Sequence, residues 1–285
     1  MTAPREARVH ANGIDIDYLE SGEGPLVLLL HGFPDNAWTW EHQLDALATA
    51  GYRAVAPFLR GYPPTEVPDE PFDTETVARD ALALIGTLGE ESALVVGHDW
   101  GGLATFNAAA LEPSAVSRAV SIGVGHPSTA VGIFGDPAQL HYAFHVWLFQ
   151  LEGFGELAVR ENDFALIDYL WEHWSSAPVD SEHVQRVKKT FQDPGVVEAA
   201  LTYYRSLVRI PFDKPDFFER VTAATEVPML VVYGAEDPAQ RLSASEEQYF
   251  AGPYRRELVG GAGHFVHRER PKQLTDLVLE WFAQD

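Results

Sequence analysis

The sequence predicts an α/β protein built on a mostly parallel, doubly wound sheet that carries one helical insertion. Three observations lead there. Short apolar runs without alternation, Leu26 to Leu30, Ala93 to Val96 and Met229 to Tyr233, each end at Gly or His, the pattern of strands buried on both faces. Helical periodicities lie between them, and strand–helix alternation builds a parallel sheet covered on both sides. From about Ser128 to Val221 that alternation stops, and the chain turns helical and aromatic.

Taken in order, Val9 to His10 and Ile14 to Glu20 flank Asn12-Gly13, a hairpin turn signal that adds an antiparallel edge. Trp40, Leu44 and Leu47 share one helix face, and Thr76 to Leu88 reads as a helix with Asp73 as its N-cap. Leu103 to Leu111 is a further helix behind a glycine-rich turn. The insertion contains Tyr142, Phe144, Trp147, Phe149, Phe154, Phe164, Tyr169, Trp171 and Trp174. Residues 128–221 are expected to form a helical cap on a core made of residues 1–127 and 222–285. At the C-terminus Leu274, Leu277, Val278, Trp281 and Phe282 follow i, i+3, i+4, i+7, i+8, an amphipathic helix. No repeat or low-complexity linker divides the chain.

Composition narrows the function. At 285 residues, 46% hydrophobic and 12% aromatic, the chain can bury a sizeable core. It has no Cys, which excludes a disulfide framework and thiolate metal sites of the zinc-finger or iron–sulfur kind. Its 42 acidic and 20 basic residues are spread along the sequence and leave a formal charge of −22, which argues against nucleic-acid and anionic-membrane partners. A neutral small molecule is the expected ligand. Met1 to Glu6 has no apolar run behind its charges, and Leu26 to Leu30 is too short to span a bilayer, so a soluble, cytoplasmic protein is expected, as monomer or homodimer.

The chemistry concentrates in Gly97-His98-Asp99-Trp100-Gly101-Gly102. A Gly-x-nucleophile-x-Gly element makes a sharp strand-to-helix turn, and the central side chain stands clear above the sheet. Here that side chain is a carboxylate, above a helix N-terminus whose N–H groups and dipole favour an anion. A nucleophile needs a base and a group to orient it. Asp237 lies in Tyr233-Gly234-Ala235-Glu236-Asp237-Pro238, after the last apolar strand, with Glu236 as a rival acid. His264 lies in Gly260-Gly261-Ala262-Gly263-His264-Phe265, with His267 as the alternative base. After the first apolar run, His31-Gly32-Phe33-Pro34 places the Phe33 N–H where, with that of Trp100, it would form an oxyanion hole.

Together His31-Gly32-Phe33-Pro34, Arg60-Gly61-Tyr62, Gly97-His98-Asp99-Trp100-Gly101, Asp237 and His264 resemble the α/β-hydrolase family, and specifically its epoxide hydrolase branch, over essentially the whole chain. The resemblance implies a cis Phe33–Pro34 bond and two acid donors in the cap that bind the epoxide oxygen. One is assigned to Tyr204, in Leu201-Thr202-Tyr203-Tyr204-Arg205. The other position, ahead of Phe149-Gln150, usually holds Tyr but is His145 here, with Tyr142 one turn earlier as the reserve. His31, Pro34, Tyr142, Trp147 and Tyr203 are the further candidates for the pocket wall. The implied reaction opens a neutral epoxide to a vicinal diol through an ester on Asp99, with neither metal nor organic cofactor.

Two other functions fit parts of this pattern. A haloalkane dehalogenase uses the same Asp, acid and His but needs N–H donors for a halide, for which Trp100 and Trp147 are candidates. The fluoroacetate variant resembles Gly-His-Asp-Arg, and this chain has Trp100 there. A ligand receptor could keep the fold and a vestigial triad. A dinucleotide site is unsupported, because neither Gly22-x-Gly24 nor Gly123-x-Gly125 is followed by the third glycine.

Overall fold

Eight strands form one sheet in the order β1-β2-β4-β3-β5-β6-β7-β8 in the computed structural model, which describes residues 3–284. Met1 and Thr2, part of the N-terminal stretch without an apolar run, lie outside the described residues, as does Asp285. The strands are β1 (Arg5–Ala11), β2 (Ile14–Ser21), β3 (Leu26–Leu30), β4 (Arg53–Pro57), β5 (Ala93–His98), β6 (Val116–Ile122), β7 (Met229–Gly234) and β8 (Tyr254–Val259). β1 and β2 form the hairpin across Asn12-Gly13, β2 is antiparallel to β4, and all other neighbours are parallel.

The apolar runs read as single strands because their residues alternate between two cores. Leu26, Leu28 and Leu30 face one, with helices α2 (Thr74–Thr87) and α3 (Trp100–Leu111); Val27 and Leu29 face the other, with α1 (Glu41–Thr49) and a C-terminal helix, Pro271–Phe282. Asp73 caps α2 by accepting the Thr76 N–H at 2.9 Å. β4 and β8 carry weaker signals. β4 is only five residues and ends in Pro57, whereas β8, at the sheet edge, is Tyr-Arg-Arg-Glu-Leu-Val with mostly half-buried side chains.

Between β6 and β7 every helix or strand is helical: a 3-10 stretch (Pro127–Gly135), α4 (Pro137–Tyr142), α5 (Phe144–Leu148), α6 (Phe154–Trp174), α7 (Ser181–Phe191), α8 (Val196–Asp213) and α9 (Pro215–Thr222). Their apolar side chains, Phe149, Ile167, Leu170, Trp171 and Val184 among them, join the same core as Leu30 and Phe33. The chain then closes through α10 (Val266–Glu269) and α11 (Pro271–Phe282). No helix among the described residues is long and apolar enough to cross a membrane.

This topology fixes where a site can form. The chain leaves β3 toward β4 on one side, then crosses to β5 on the other, so the order in which strands are added reverses between the parallel strands β3 and β5. A crevice opens there at the strand C-termini. The loops after β3, β5, β7 and β8 carry Phe33, Asp99, Asp237 and His264 respectively.

Candidate active site

Asp99 is the hinge of the β5–α3 elbow. Its φ of 51° and ψ of −115° lie in a region that side chains rarely adopt. Glycines make the turn feasible. A Cβ on Gly97 would stand 2.0 Å from the Gly101 carbonyl oxygen, one on Gly101 2.0 Å from that of Leu30, and one on Gly32 2.4 Å from the Asp99 Cβ. The Phe33 N–H donates to Asp99 Oδ1 at 2.8 Å, leaving Oδ2 on the side of His264. Trp100 opens α3, so its N–H is among the helix N-terminal amides without an intrahelical acceptor. The Phe33–Pro34 bond is cis, as the resemblance implies.

His264 Nδ1 lies 3.0 Å from Asp237 Oδ2, and its Nε2 is 3.7 Å from Asp99 Oδ2. Asp237 is itself oriented by the Ala239 N–H, at 2.9 Å from Oδ1. Gly123, with φ of 73°, leaves room for the imidazole, since a Cβ there would approach His264 Cε1 to 2.8 Å. Burial disfavours a charged imidazole, but the hydrogen bond to Asp237 and the negative charges of Asp237 and Asp99 outweigh it and raise His264 to about 10. The two rivals have other partners. Glu236 accepts the N–H groups of Gly261 and Ala262 at 3.0 and 3.1 Å, bracing the loop that carries His264. His267 is fully buried, with Nε2 2.7 Å from Thr39 Oγ1 and 3.7 Å from Asp35 Oδ2.

A cavity of about 190 Å³ opens over Asp99 and His264. Tyr142, His145, Trp174 and Tyr204 from the helical insertion line it, with an apolar wall that includes Leu103, Val124, Val146 and Leu207. The His145 and Tyr204 rings meet edge to face, 5.4 Å between centroids, and Tyr204 packs likewise on Trp100 at 4.7 Å. Tyr204 Oη, Tyr142 Oη, His145 Nδ1 and His264 Nε2 are buried without a hydrogen-bond partner. Buried polar groups are normally satisfied, and four without partners at one cavity are available to a polar ligand. Burial and then the Asp99 charge push the Tyr204 phenol well above its usual value, keeping it protonated. Burial pushes His145 down to about 3, keeping it neutral.

Four residues expected on the pocket wall stand elsewhere. Tyr203, one position and about 100° around α8 from Tyr204, donates its hydroxyl to the Arg60 carbonyl at 2.8 Å. Trp147, two positions beyond His145 on α5, turns away and packs on Phe134 at 5.2 Å. His31 is consumed by the backbone around it: Nε2 accepts the N–H of Leu59, in the loop after β4, at 3.1 Å, and Nδ1 lies 3.0 Å from the Gly32 carbonyl. Pro34 is covered by the insertion, its carbonyl accepting the Trp171 indole N–H at 2.9 Å. Conversely, the sequence named Trp174 only as one cap aromatic. It lines the cavity, its ring lies 5.3 Å from that of His264, and its carbonyl accepts the His264 N–H at 2.7 Å. Its position one turn after Trp171 was visible; which side of the helix faces the cavity was not.

A protein-family model described as alpha/beta hydrolase fold matches residues 25–271. An AB hydrolase superfamily protein of Bacillus subtilis, YfhM, is 31% identical and covers 96% of either chain. Epoxide hydrolase 3 of Xenopus tropicalis is 30% identical over 98% of this chain and 77% of its own. Epoxide hydrolase A of Mycobacterium tuberculosis is 29% identical over 99% of this chain and 98% of its own. The crystal structure of epoxide hydrolase A from Mycobacterium thermoresistibile superposes with a TM-score of 0.84 at 27% identity, covering 98% of both chains. The chain therefore belongs to the α/β-hydrolase fold family, in its epoxide hydrolase branch.

Proposed function

We propose that this protein hydrolyses epoxides to vicinal diols through a covalent ester on Asp99. The observation that carries the reading is one cavity in which a carboxylate, held at Oδ1 by the Phe33 N–H, faces the unsatisfied donor of a protonated Tyr204. Asp99 Oδ2 attacks a ring carbon, the C–O bond breaks, and the oxygen takes hydrogen bonds from Tyr204 and His145. The proton held by His264 balances the alkoxide, so alkylation leaves the imidazole neutral. His264, oriented by Asp237, then deprotonates a water that attacks the Asp99 carbonyl carbon. The charge gathers on Oδ1, where the Phe33 and Trp100 amides stabilise it, and collapse releases the diol. In this reading residues 128–221 act as a cap over the cavity. Among the described residues no Lys or Arg lines it, which suits a neutral substrate.

A second reading, halide displacement, has one observation in its favour. Trp100 Nε1 and Trp174 Nε1 are both unpartnered and both rings line the cavity, so two indole N–H groups are available for a leaving halide. Incubation with styrene oxide and with 1-bromobutane separates the two: diol without bromide is expected, and bromide without diol would reverse the assignment. Tyr204→Phe should lower kcat/KM for styrene oxide by roughly 10²-fold, the scale of one lost transition-state donor. Tyr142→Phe should change it by less than about threefold, and His145→Leu by far more than that; the opposite ranking would make Tyr142 the second donor.

A further inference from the structure

We infer that the helical insertion sets the position of the oxyanion amide, with Trp171 and His183 as positioning residues that act on Phe33 through the loop following it. Each of the next three residues is held by one side chain of the insertion: Pro34 O accepts from Trp171 Nε1 at 2.9 Å, Asp35 Oδ1 pairs with His183 Nε2 at 2.8 Å, and Asn36 Nδ2 donates to Thr190 Oγ1 at 3.1 Å. The Phe33 ring is gripped by the same layer, edge to face with Phe149, Phe191 and Tyr204 at 5.5, 5.7 and 5.3 Å. From the sheet side the Phe33 N–H is held by Asp99 Oδ1 at 2.8 Å and His31 Nε2 takes the Leu59 N–H, while beyond Phe33 the sheet side offers, among the described residues, only His267, 3.7 Å from Asp35 Oδ2.

The chemistry of the Asp35–His183 contact supports a geometric role. Both side chains are almost wholly buried, at 0% and 1% exposure. A buried hydrogen bond such as this one contributes little net stability beyond satisfying its own two polar groups, whereas it does form a directional link between two layers. α6 also reaches the other half of the centre, because the Trp174 carbonyl accepts the His264 N–H. One helix thus touches both the oxyanion loop and the base loop, so the spacing between the Phe33 amide and His264 is set from above the sheet.

The consequence for turnover rests on the proposed ester mechanism: a misplaced Phe33 amide weakens stabilisation of Oδ1 in ester hydrolysis but not the attack by Oδ2. Trp171→Phe keeps an aromatic ring, smaller than the indole, and removes the N–H, His183→Leu removes the Asp35 partner, and His183→Gln returns a side-chain N–H. Amide hydrogen exchange at Phe33, read by NMR against Leu28 within β3, should be roughly 10-fold faster in the first two variants and near the native rate in the third. Decay of the styrene oxide ester, followed by rapid-quench mass spectrometry, should slow by roughly 10-fold in the same two variants while its formation does not slow. Unchanged Phe33 protection overturns the clamp whatever the activity. Faster exchange with unchanged ester decay overturns its catalytic effect. If the native protein forms no ester with any epoxide, it is the epoxide reading that fails, and the exchange rates decide the clamp by themselves.

Discussion

Asp99→Asn should abolish diol formation from styrene oxide, with kcat falling by roughly 10⁴-fold or more, because an amide oxygen is a poor nucleophile and no other carboxylate points at the cavity from the elbow. The fold should survive, since Asn is nearly isosteric, tolerates the φ of 51°, and keeps an oxygen for the Phe33 N–H. Isotope placement gives an independent check. In a single turnover in ¹⁸O water with enzyme in excess, label should enter the Asp99 carboxyl, and the first diol should carry unlabelled oxygen. Label in that diol would mean that water attacks the epoxide directly, and the ester mechanism would be wrong.

His264→Gln should slow alkylation, which loses the imidazolium proton but keeps the Tyr204 and His145 donors, and should stop hydrolysis of the ester, so the Asp99 ester accumulates and steady-state kcat drops by about 10²- to 10⁴-fold, the usual reach of a general base. The pH dependence follows from the two anions around the ring. Burial lowers the His264 pKa, but Asp237 and Asp99 together raise it to about 10 in the resting site. Esterifying Asp99 removes one of those anions, so the value in the intermediate falls below about 10, and a neutral base appears at the step that needs one. Ester decay should therefore rise with pH and level off above that lower value. Ester formation, which uses the imidazolium proton, should decline as pH passes about 10. Stopped-flow measurement of both phases across pH 5 to 11 tests this, and a decay rate that falls with increasing pH would remove His264 as the base.

Much of this centre was legible because it is encoded locally. The elbow needs glycines where a Cβ would meet backbone 2.0 Å away, and such a requirement leaves a short motif around Asp99. Strands buried on both faces need unbroken apolar runs, which is why β3, β5 and β7 were evident, whereas an edge strand such as β8 and a short Pro-ended one such as β4 were not. Position after a strand narrowed the acid to Asp237 with Glu236 as a rival, and the glycine-rich approach favoured His264 over His267. It could not show where those rivals point, which only the fold decides.

The helical insertion divides differently. Sequence by itself determined the class of fold, the glycine-flanked elbow that carries Asp99, the chain order Asp99, Asp237, His264, and the helical, aromatic character of residues 128–221, because each depends on spacing of a few residues along the chain. Only the tertiary structure decided that Tyr204 and not Tyr203, His145 and not Trp147, and additionally Trp174, face the cavity. A residue's direction from a helix turns by about 100° per position, so on an almost continuously aromatic surface the choice is made by how the helix is rotated against the sheet. That rotation is fixed by contacts distant in sequence, such as Trp171 with Pro34 and His183 with Asp35, which no local pattern records.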